Sequence, residues 1–214
     1  MTTALNQLMK GNTDHFYIHN IIALKPNHIE VQELKEAGHL PLEFGSRIWR
    51  SSYLLIEYLS RFSFQPEDQI VELGCGWGLP STYLKKTFNS NVIATDFDQN
   101  VEVYQQLISS INDVNVDFER HSFSHLGKQT LKDINYLVGA DICYSTSNAN
   151  KLYELFVNYM NQTDGHIILS DSGRAPFFKL VDRLATLLPV TVKKITLKRP
   201  TRLTGYVLYI GKTS

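Results

Sequence analysis

From Gln69 onward the chain alternates two hydrophobic rhythms. Apolar runs of strand length fall at Gln69–Leu73, Asn91–Thr95, Val114–Phe118, Asn135–Gly139 and His166–Ser170. Between them lie longer stretches whose apolar residues recur at helical spacing, near Leu79–Phe88, Gln99–Ile111, Asn148–Met160 and Pro176–Leu187. Repeated strand–helix–strand units predict a parallel sheet with right-handed crossovers. The rhythm breaks at the end, where Val190–Leu197 and Leu203–Ile210 both alternate with period two and are joined only by Lys198-Arg199-Pro200-Thr201-Arg202. That link leaves no room for a crossover helix, so this last pair is predicted to be antiparallel.

Upstream, Leu54, Leu55, Tyr58, Leu59 and Phe62 mark the buried face of a helix that Ser51 or Ser52 is placed to cap. Before it, Phe16–Leu24 reads as an extended apolar stretch. Asn27 is expected to cap a short helix that runs through Ala37 and is stopped by Gly38. Residues 1–44 are therefore expected to form an N-terminal extension, appended to one main domain over residues 45–214.

The most informative segment is Ile70-Val71-Glu72-Leu73-Gly74-Cys75-Gly76-Trp77-Gly78-Leu79-Pro80, with Asp96 at the end of the next apolar run. Alternate glycines let the backbone turn tightly and approach a ligand, and the helix that follows is expected to aim its free N–H groups at an anionic group. A carboxylate at the tip of the second strand suits a ribose diol. The same residue is also placed to cap the next helix. A dinucleotide fingerprint calls for G-x-G-x-x-G, yet Leu79 stands at the third position, and Glu72 puts a charge where dinucleotide folds carry an apolar residue. Both departures favour S-adenosylmethionine.

At 214 residues and 43% hydrophobic content, the chain supports one sizeable core. Lys+Arg and Asp+Glu balance at 21 each, which excludes the molecule-wide field of a general nucleic-acid or membrane-surface binder. A local cluster, Lys193, Lys194, Lys198, Arg199 and Arg202, sits on the terminal hairpin. It reads most simply as a solvated face that protects a sheet edge, with docking of an acidic partner as the alternative. Cys75 and Cys143 lack metal-ligand spacing and no secretory signal precedes them, so a reduced, cytoplasmic setting is expected. No apolar stretch approaches the roughly 20 residues that cross a bilayer, so no membrane partner is expected. His121 and His125 have i, i+4 spacing but follow a strand rather than lying on a helix, so no metal site is expected.

Three segments together resemble one branch of the class I S-adenosylmethionine-dependent methyltransferases, the seven-β-strand lysine methyltransferase-like family, methyltransferase family 16. They are Gly45-Ser46-Arg47-Ile48-Trp49, then Glu72 to Leu79 with Thr95-Asp96, then Gly139-Ala140-Asp141-Ile142-Cys143-Tyr144, which is similar to the family's G-A-D-x-x-Y segment. The resemblance runs from about Gly45 to Ile210. It implies an α/β, Rossmann-like fold: a seven-stranded, mostly parallel sheet with an antiparallel C-terminal hairpin and helices on both faces. It further implies that Trp49 packs near the cofactor and that Gly74, Cys75 and Gly76, beside Glu72, line its methionine part. Asp96, with Phe97 next to it, would take the ribose hydroxyls, and Ala140 would touch the cofactor through its backbone. Phe123 stands where the family often has a tryptophan near the adenine. Asp141 and Tyr144 would face the acceptor as the catalytic pair. Ser170-Asp171-Ser172-Gly173-Arg174 has no matching segment, and Arg174 there could be a substrate clamp or a surface ion pair.

Methyl transfer from a sulfonium is one in-line displacement, so the protein works mainly by alignment and needs no nucleophile of its own. An amine acceptor must lose a proton first; a free lysine sits near pKa ~10.4, and burial beside aromatic walls lowers that value. Asp141 can accept hydrogen bonds from the amine, and Tyr144 can add an oxygen or an aromatic wall. Enzymes that methylate exocyclic amines of bases usually carry N/D-P-P-Y/F where this chain has Ala140 to Tyr144, and no Pro-Cys pair occurs, so a nucleic-acid acceptor is disfavoured. The expected activity is N-methylation of a protein side chain; that the side chain is a lysine rests on the resemblance alone. The alternatives are a small-molecule N-methyltransferase and a non-catalytic S-adenosylmethionine-binding scaffold.

Overall fold

The computed structural model describes residues 14–42, 44–126, 131–199 and 201–211. The apolar stretch expected near residues 16–24 folds back on itself as β1 (His15–Ile18) and β2 (Ile21–Leu24). His19 and Asn20 both have positive φ, 44° and 66°, the conformation that a two-residue hairpin turn requires. Asn112 closes the hairpin from the other side: its Oδ1 accepts from Ile22 N at 2.8 Å and its Nδ2 donates to Ile22 O at 2.9 Å. Ile18, Ile21, Ala23 and Leu24 are buried in the same apolar cluster as the main sheet.

Two expected caps fall elsewhere. Helix α1 (Ile29–Glu36) starts from His28, which makes no side-chain cap bond, while the Asn27 amide donates to Asp14 Oδ1 at 3.2 Å. Helix α2 (Arg50–Leu59) starts from Trp49, whose backbone is extended; Ser51 and Ser52 lie inside its first turn. The backbone of Ser51 is committed to other partners described below, and the helix starts two residues before a Ser51 cap would place it.

The main sheet is built from β3 (Gln69–Leu73), β4 (Asn91–Asp96), β5 (Asp117–Arg120), β6 (Tyr136–Ala140), β7 (His166–Asp171), β8 (Val190–Leu197) and β9 (Leu203–Ile210). The crossovers are α3 (Leu79–Phe88), α4 (Glu102–Ile111), the short α5 (Phe123–Leu126), α6 (Thr146–Gln162) and α7 (Ala175–Ala185). Strand order is β5-β4-β3-β6-β7-β9-β8, with β9 antiparallel to both neighbours and the rest parallel. This is the expected α/β, Rossmann-like sheet of seven strands.

The strand expected at Val114–Phe118 lies instead at Asp117–Arg120, because pairing with β4 decides it: Ile93 to Asp96 align with Asp117 to Arg120. An edge strand is placed by its one neighbour more than by its own apolar residues. Along β3 the side chains part by alternation, Ile70 joining one buried cluster and Val71 and Leu73 the other. The first cluster takes in α2, α3, α4 and the β1–β2 hairpin, the second α6 and α7, so helices cover both faces. Strand order reverses at β3, which has β4 on one side and β6 on the other, and open α/β sheets bind ligands beyond the carboxyl ends at such a switch point. Among the described residues no helix is long and apolar enough to cross a membrane.

Candidate functional site

A cavity of about 310 Å³ opens at that switch point, over the carboxyl ends of β3, β4 and β6. Of the residues singled out in the sequence, Trp49, Gly74, Gly76, Asp96, Phe97, Phe123, Ala140, Asp141 and Tyr144 line it. Glu72 and Cys75 do not. They line a recess of about 30 Å³ next to it, which shares Trp49, Gly74, Gly76 and Ala140 with the larger space.

The loop after β3 explains this split. Gly74 and Gly76 have φ of 57° and 51°, a region that disfavours any side chain. A Cβ on Gly74 would stand 2.6 Å from Ile142 Cγ2, whereas one on Gly76 would meet nothing within 4 Å, so the space beside Gly76 is open. The amides at the start of α3 do not serve the cavity as expected. Pro80 has no N–H, and Ser81 N donates to Glu72 Oε2 at 2.9 Å, with the Ser81 hydroxyl on the same oxygen. The Glu72 carboxyl thus occupies this helix start, supplied by the chain itself. Burial pushes its carboxyl up to about 8, against the two Ser81 bonds.

On one side of the cavity, Asp96 is held by two amides: Oδ2 accepts from Gly76 N at 3.0 Å and Oδ1 from Asp98 N at 3.1 Å. Burial, aided by the neighbouring Asp98, raises its pKa despite those bonds. Asp98, whose role was not visible in the sequence, accepts from Asn100 N at 3.0 Å and from Leu42 N. It thereby ties the segment around residue 42 to the cavity rim. The indoles continue that tie, since Trp49 Nε1 donates to Phe44 O at 2.7 Å and Trp77 Nε1 to Gly45 O at 2.8 Å. Leu42, Phe44 and Gly45 accordingly line the cavity although they precede or only open the first recognisable motif. His121, Asn148 and Lys151 complete parts of the wall that no motif announced.

On the opposite side, Asp141 sits just beyond β6 with φ of 60°, an uncommon backbone for a residue with a side chain. Three contacts hold it there. Its N–H donates to Ser170 O at 2.9 Å, its Oδ2 accepts from Ser51 N at 3.2 Å, and its Oδ1 accepts from Arg174 Nη2 at 2.5 Å. Ser51 O in turn accepts from Ser170 Oγ at 2.8 Å. Arg174 is therefore an internal ion pair: it also bonds Asp171, whose Oδ1 accepts the amides of Gly173 and Arg174 at 2.8 Å each. The side chains of Asp141, Asp171 and Arg174 are 8%, 0% and 30% exposed. Burial raises the pKa of Asp141, opposed by the Ser51 bond and the Arg174 charge. Phe44 meets Tyr144 edge-on at 4.7 Å between ring centroids and Trp49 at 5.7 Å, so three aromatic rings stand together beside this carboxylate.

Sheet order, glycine loop and acidic strand tip together define a class I methyltransferase. A sequence profile of the lysine methyltransferase family matches residues 27–182, and the chain belongs to that family. It is an S-adenosylmethionine-dependent methyltransferase. No curated protein matches the sequence. Solved structures share the fold: a ribosomal protein L11 methylase from Lactobacillus delbrueckii subsp. bulgaricus is 16% identical with a TM-score of 0.57, covering 82% of each chain. An rRNA methylase from Streptococcus thermophilus is 13% identical with a TM-score of 0.56, covering 78% of this chain and 99% of that one. A precorrin-6y C5,15-methyltransferase from Geobacter metallireducens is 16% identical with a TM-score of 0.57, covering 74% and 88%.

Proposed function

We propose that the chain methylates an amine, specifically the side chain of a lysine on another protein. The observation that carries this reading is the ion-paired trio of Asp141, Asp171 and Arg174, in which two carboxylates face one guanidinium. Two carboxylates to one guanidinium leave this group short of positive charge, which favours a cationic acceptor over a neutral one. The aromatic rings of Phe44, Trp49 and Tyr144 add the quadrupole faces that attract an ammonium.

The cavity's own residues fit the methyl donor: open space beside Gly76, an acid at the tip of β4, and the aromatics Phe97 and Phe123 on the wall. Gly74, Gly76 and Ala140 would hold its amino-acid part and Asp96 its ribose hydroxyls, Asp96 being already oriented by two amides. When bound, S-adenosylmethionine supplies an electrophilic methyl group. The chain's task is then to deliver the acceptor nitrogen with a free lone pair. Asp141 accepts a hydrogen bond from that nitrogen and orients it, while Arg174 and Ser51 N hold the carboxylate in place. Entry of the amine into an aromatic-walled, partly dry site lowers its pKa and eases loss of its proton. Glu72 holds the start of α3 and Cys75 is buried in the loop beneath, so both support the cradle from behind.

The reading is tested by incubating the protein with labelled S-adenosylmethionine and a cell lysate, then separating products by size and hydrolysing the protein fraction. Label recovered as methyllysine is the expected result. Label confined to small molecules would refute the protein acceptor, and no transfer despite measurable cofactor binding would refute the amine acceptor altogether.

A further inference from the structure

The charges around the cavity are sorted by radius. Of the carboxylates and ammonium groups lining the cavity, Asp96, Asp98 and Asp141 are acidic and only Lys151 is basic. Outside it the sign inverts. Residues 45–56 carry Arg47 and Arg50 and no acid, and residues 190–211 carry Lys193, Lys194, Lys198, Arg199 and Arg202 and again no acid. A chain whose formal charge is zero has therefore gathered a third of its 21 Lys and Arg residues into two acid-free segments.

The fold joins these segments into one surface at the mouth of the site. The register that pairs Asp171 with Tyr206 carries the start of β9, and with it the β8–β9 connection, past the carboxyl end of β7, the edge where the cavity opens. Arg50 Nη2 donates to Thr201 Oγ1 at 3.0 Å and to Arg202 O at 3.4 Å, which pins that connection to the first turn of α2. One residue earlier Trp49 lines the cavity, with the Arg47 guanidinium 4.2 Å from its ring centroid. One residue later Ser51 N holds Asp141. Lys198, Arg199 and Arg202 are exposed beside this junction, as are Arg47 and Arg50.

A negative centre inside a positive rim is the complement of a cation flanked by anions. We propose that the hairpin tip and the start of α2 form a docking surface for an acidic protein segment that presents its acceptor lysine between Asp or Glu residues. The proposal rests on the lysine reading above and names the context in which the lysine is read. A nucleic acid fits the rim but not the centre, because a neutral base gains nothing from the spare charge on Asp141 and Asp171, and the backbone phosphates bring more anions to it. Rim charges of this kind act mainly on encounter and on salt dependence, each pair contributing little alone.

The test uses short fluorescent peptides bearing one lysine between acidic, neutral or basic flanks, and a single-stranded RNA of similar length, titrated against the full chain with S-adenosylhomocysteine present. The acidic-flanked peptide is expected to bind about tenfold tighter than the neutral one at low salt, through several exposed charge pairs acting together. Replacing its lysine with alanine, raising the salt, or reversing the rim with Lys198→Glu and Arg199→Glu should each remove most of that advantage. Those two side chains are exposed, so unchanged thermal stability of the variant confirms that it folds. Equal binding of all flanks, or tighter binding of the RNA, overturns the surface. Methyl transfer separates the two claims. Lysine methylation with a KM that ignores charge reversal overturns the surface and leaves the acceptor assignment standing, whereas lysine- and flank-dependent binding without transfer supports the surface and sinks the acceptor assignment.

Discussion

The two halves of the cavity are built by different means. The half proposed to hold the methyl donor, from Gly74 to Phe123, is made mostly of backbone turns and of contacts between residues close in sequence or on adjacent strands, as where Asp96 bonds Gly76 and Asp98, with the ties to Leu42 and Gly45 confined to its rim. The half proposed to hold the acceptor is assembled from distant groups: Asp141 is held by Ser51, 90 residues before it, and by Arg174, 33 residues after it. Local construction keeps a site's shape tied to a short motif, so it can host the same ligand in many proteins. Long-range construction frees the acceptor side to change by substituting one partner at a time. Donor and acceptor binding should therefore respond to mutation separately.

A pair of substitutions, one in each half, should have the largest effect. Asp141→Ala is expected to lower turnover by about 100-fold or more while leaving S-adenosylhomocysteine affinity within about twofold, the range for loss of a positioned proton-handling group. Asp96→Ala should do the reverse to binding, weakening S-adenosylhomocysteine about tenfold or more through lost charge-assisted hydrogen bonds. Calorimetry and steady-state rates read both, and parallel loss of binding in both variants would show that the halves are one unit.

A smaller effect should come from Arg174→Gln. The guanidinium lowers the pKa of Asp141, so its removal must raise it, and the acidic limb of the pH–rate profile should move to higher pH. Arg174→Lys should restore part of the shift but not the paired bonds to Asp141 and Asp171. A profile that stays in place with a lower plateau would assign Arg174 to packing alone.

The smallest expected effect concerns stability. Glu72 is raised to about 8 by burial, so between its unfolded value near ~4.5 and ~8 the folded chain holds a proton that the unfolded chain has lost. Stability therefore falls as pH rises through that window. Glu72→Gln keeps an acceptor for Ser81 and should flatten the fall, giving a higher Tm than the parent at alkaline pH and a similar one near pH ~4. Parallel Tm curves across pH would show that Glu72 ionises freely in the fold.

The same contrast explains what the sequence made legible. Strand and helix order, the antiparallel ending and the loop from Glu72 to Leu79 follow from periodicity and glycine placement, which act over a few residues. The rim at Leu42 and Phe44 escaped because it is fastened by Asp98 and by two indoles reaching back along the chain. Glu72 is expected beside the ligand because charge at a strand end has no local partner in the sequence; its partner, Ser81, comes into reach only when the helix turns back. Caps at Asn27 and at Ser51 or Ser52 were misplaced for a related reason, since Asn27 reaches Asp14 and Ser51 is held by Asp141 and Ser170. The register of β5 depended on β4 and not on its own apolar residues. Arg174 could be placed at the right spot but not given a partner, because ion pairs across 33 residues leave no periodic trace.

The way Asn112 grips β2 bears on any attempt to shorten the protein. Its carboxamide presents a donor and an acceptor to Ile22 as a neighbouring strand would, so the hairpin is joined to α4 by an imitation of one backbone pairing. A chain trimmed to begin where the family profile begins would lose that pairing and bare the seat vacated by Ile18, Ile21, Ala23 and Leu24. Such a fragment would keep every residue named in the site and is nevertheless expected to clump, its exposed seat seeking the same apolar cover in other copies.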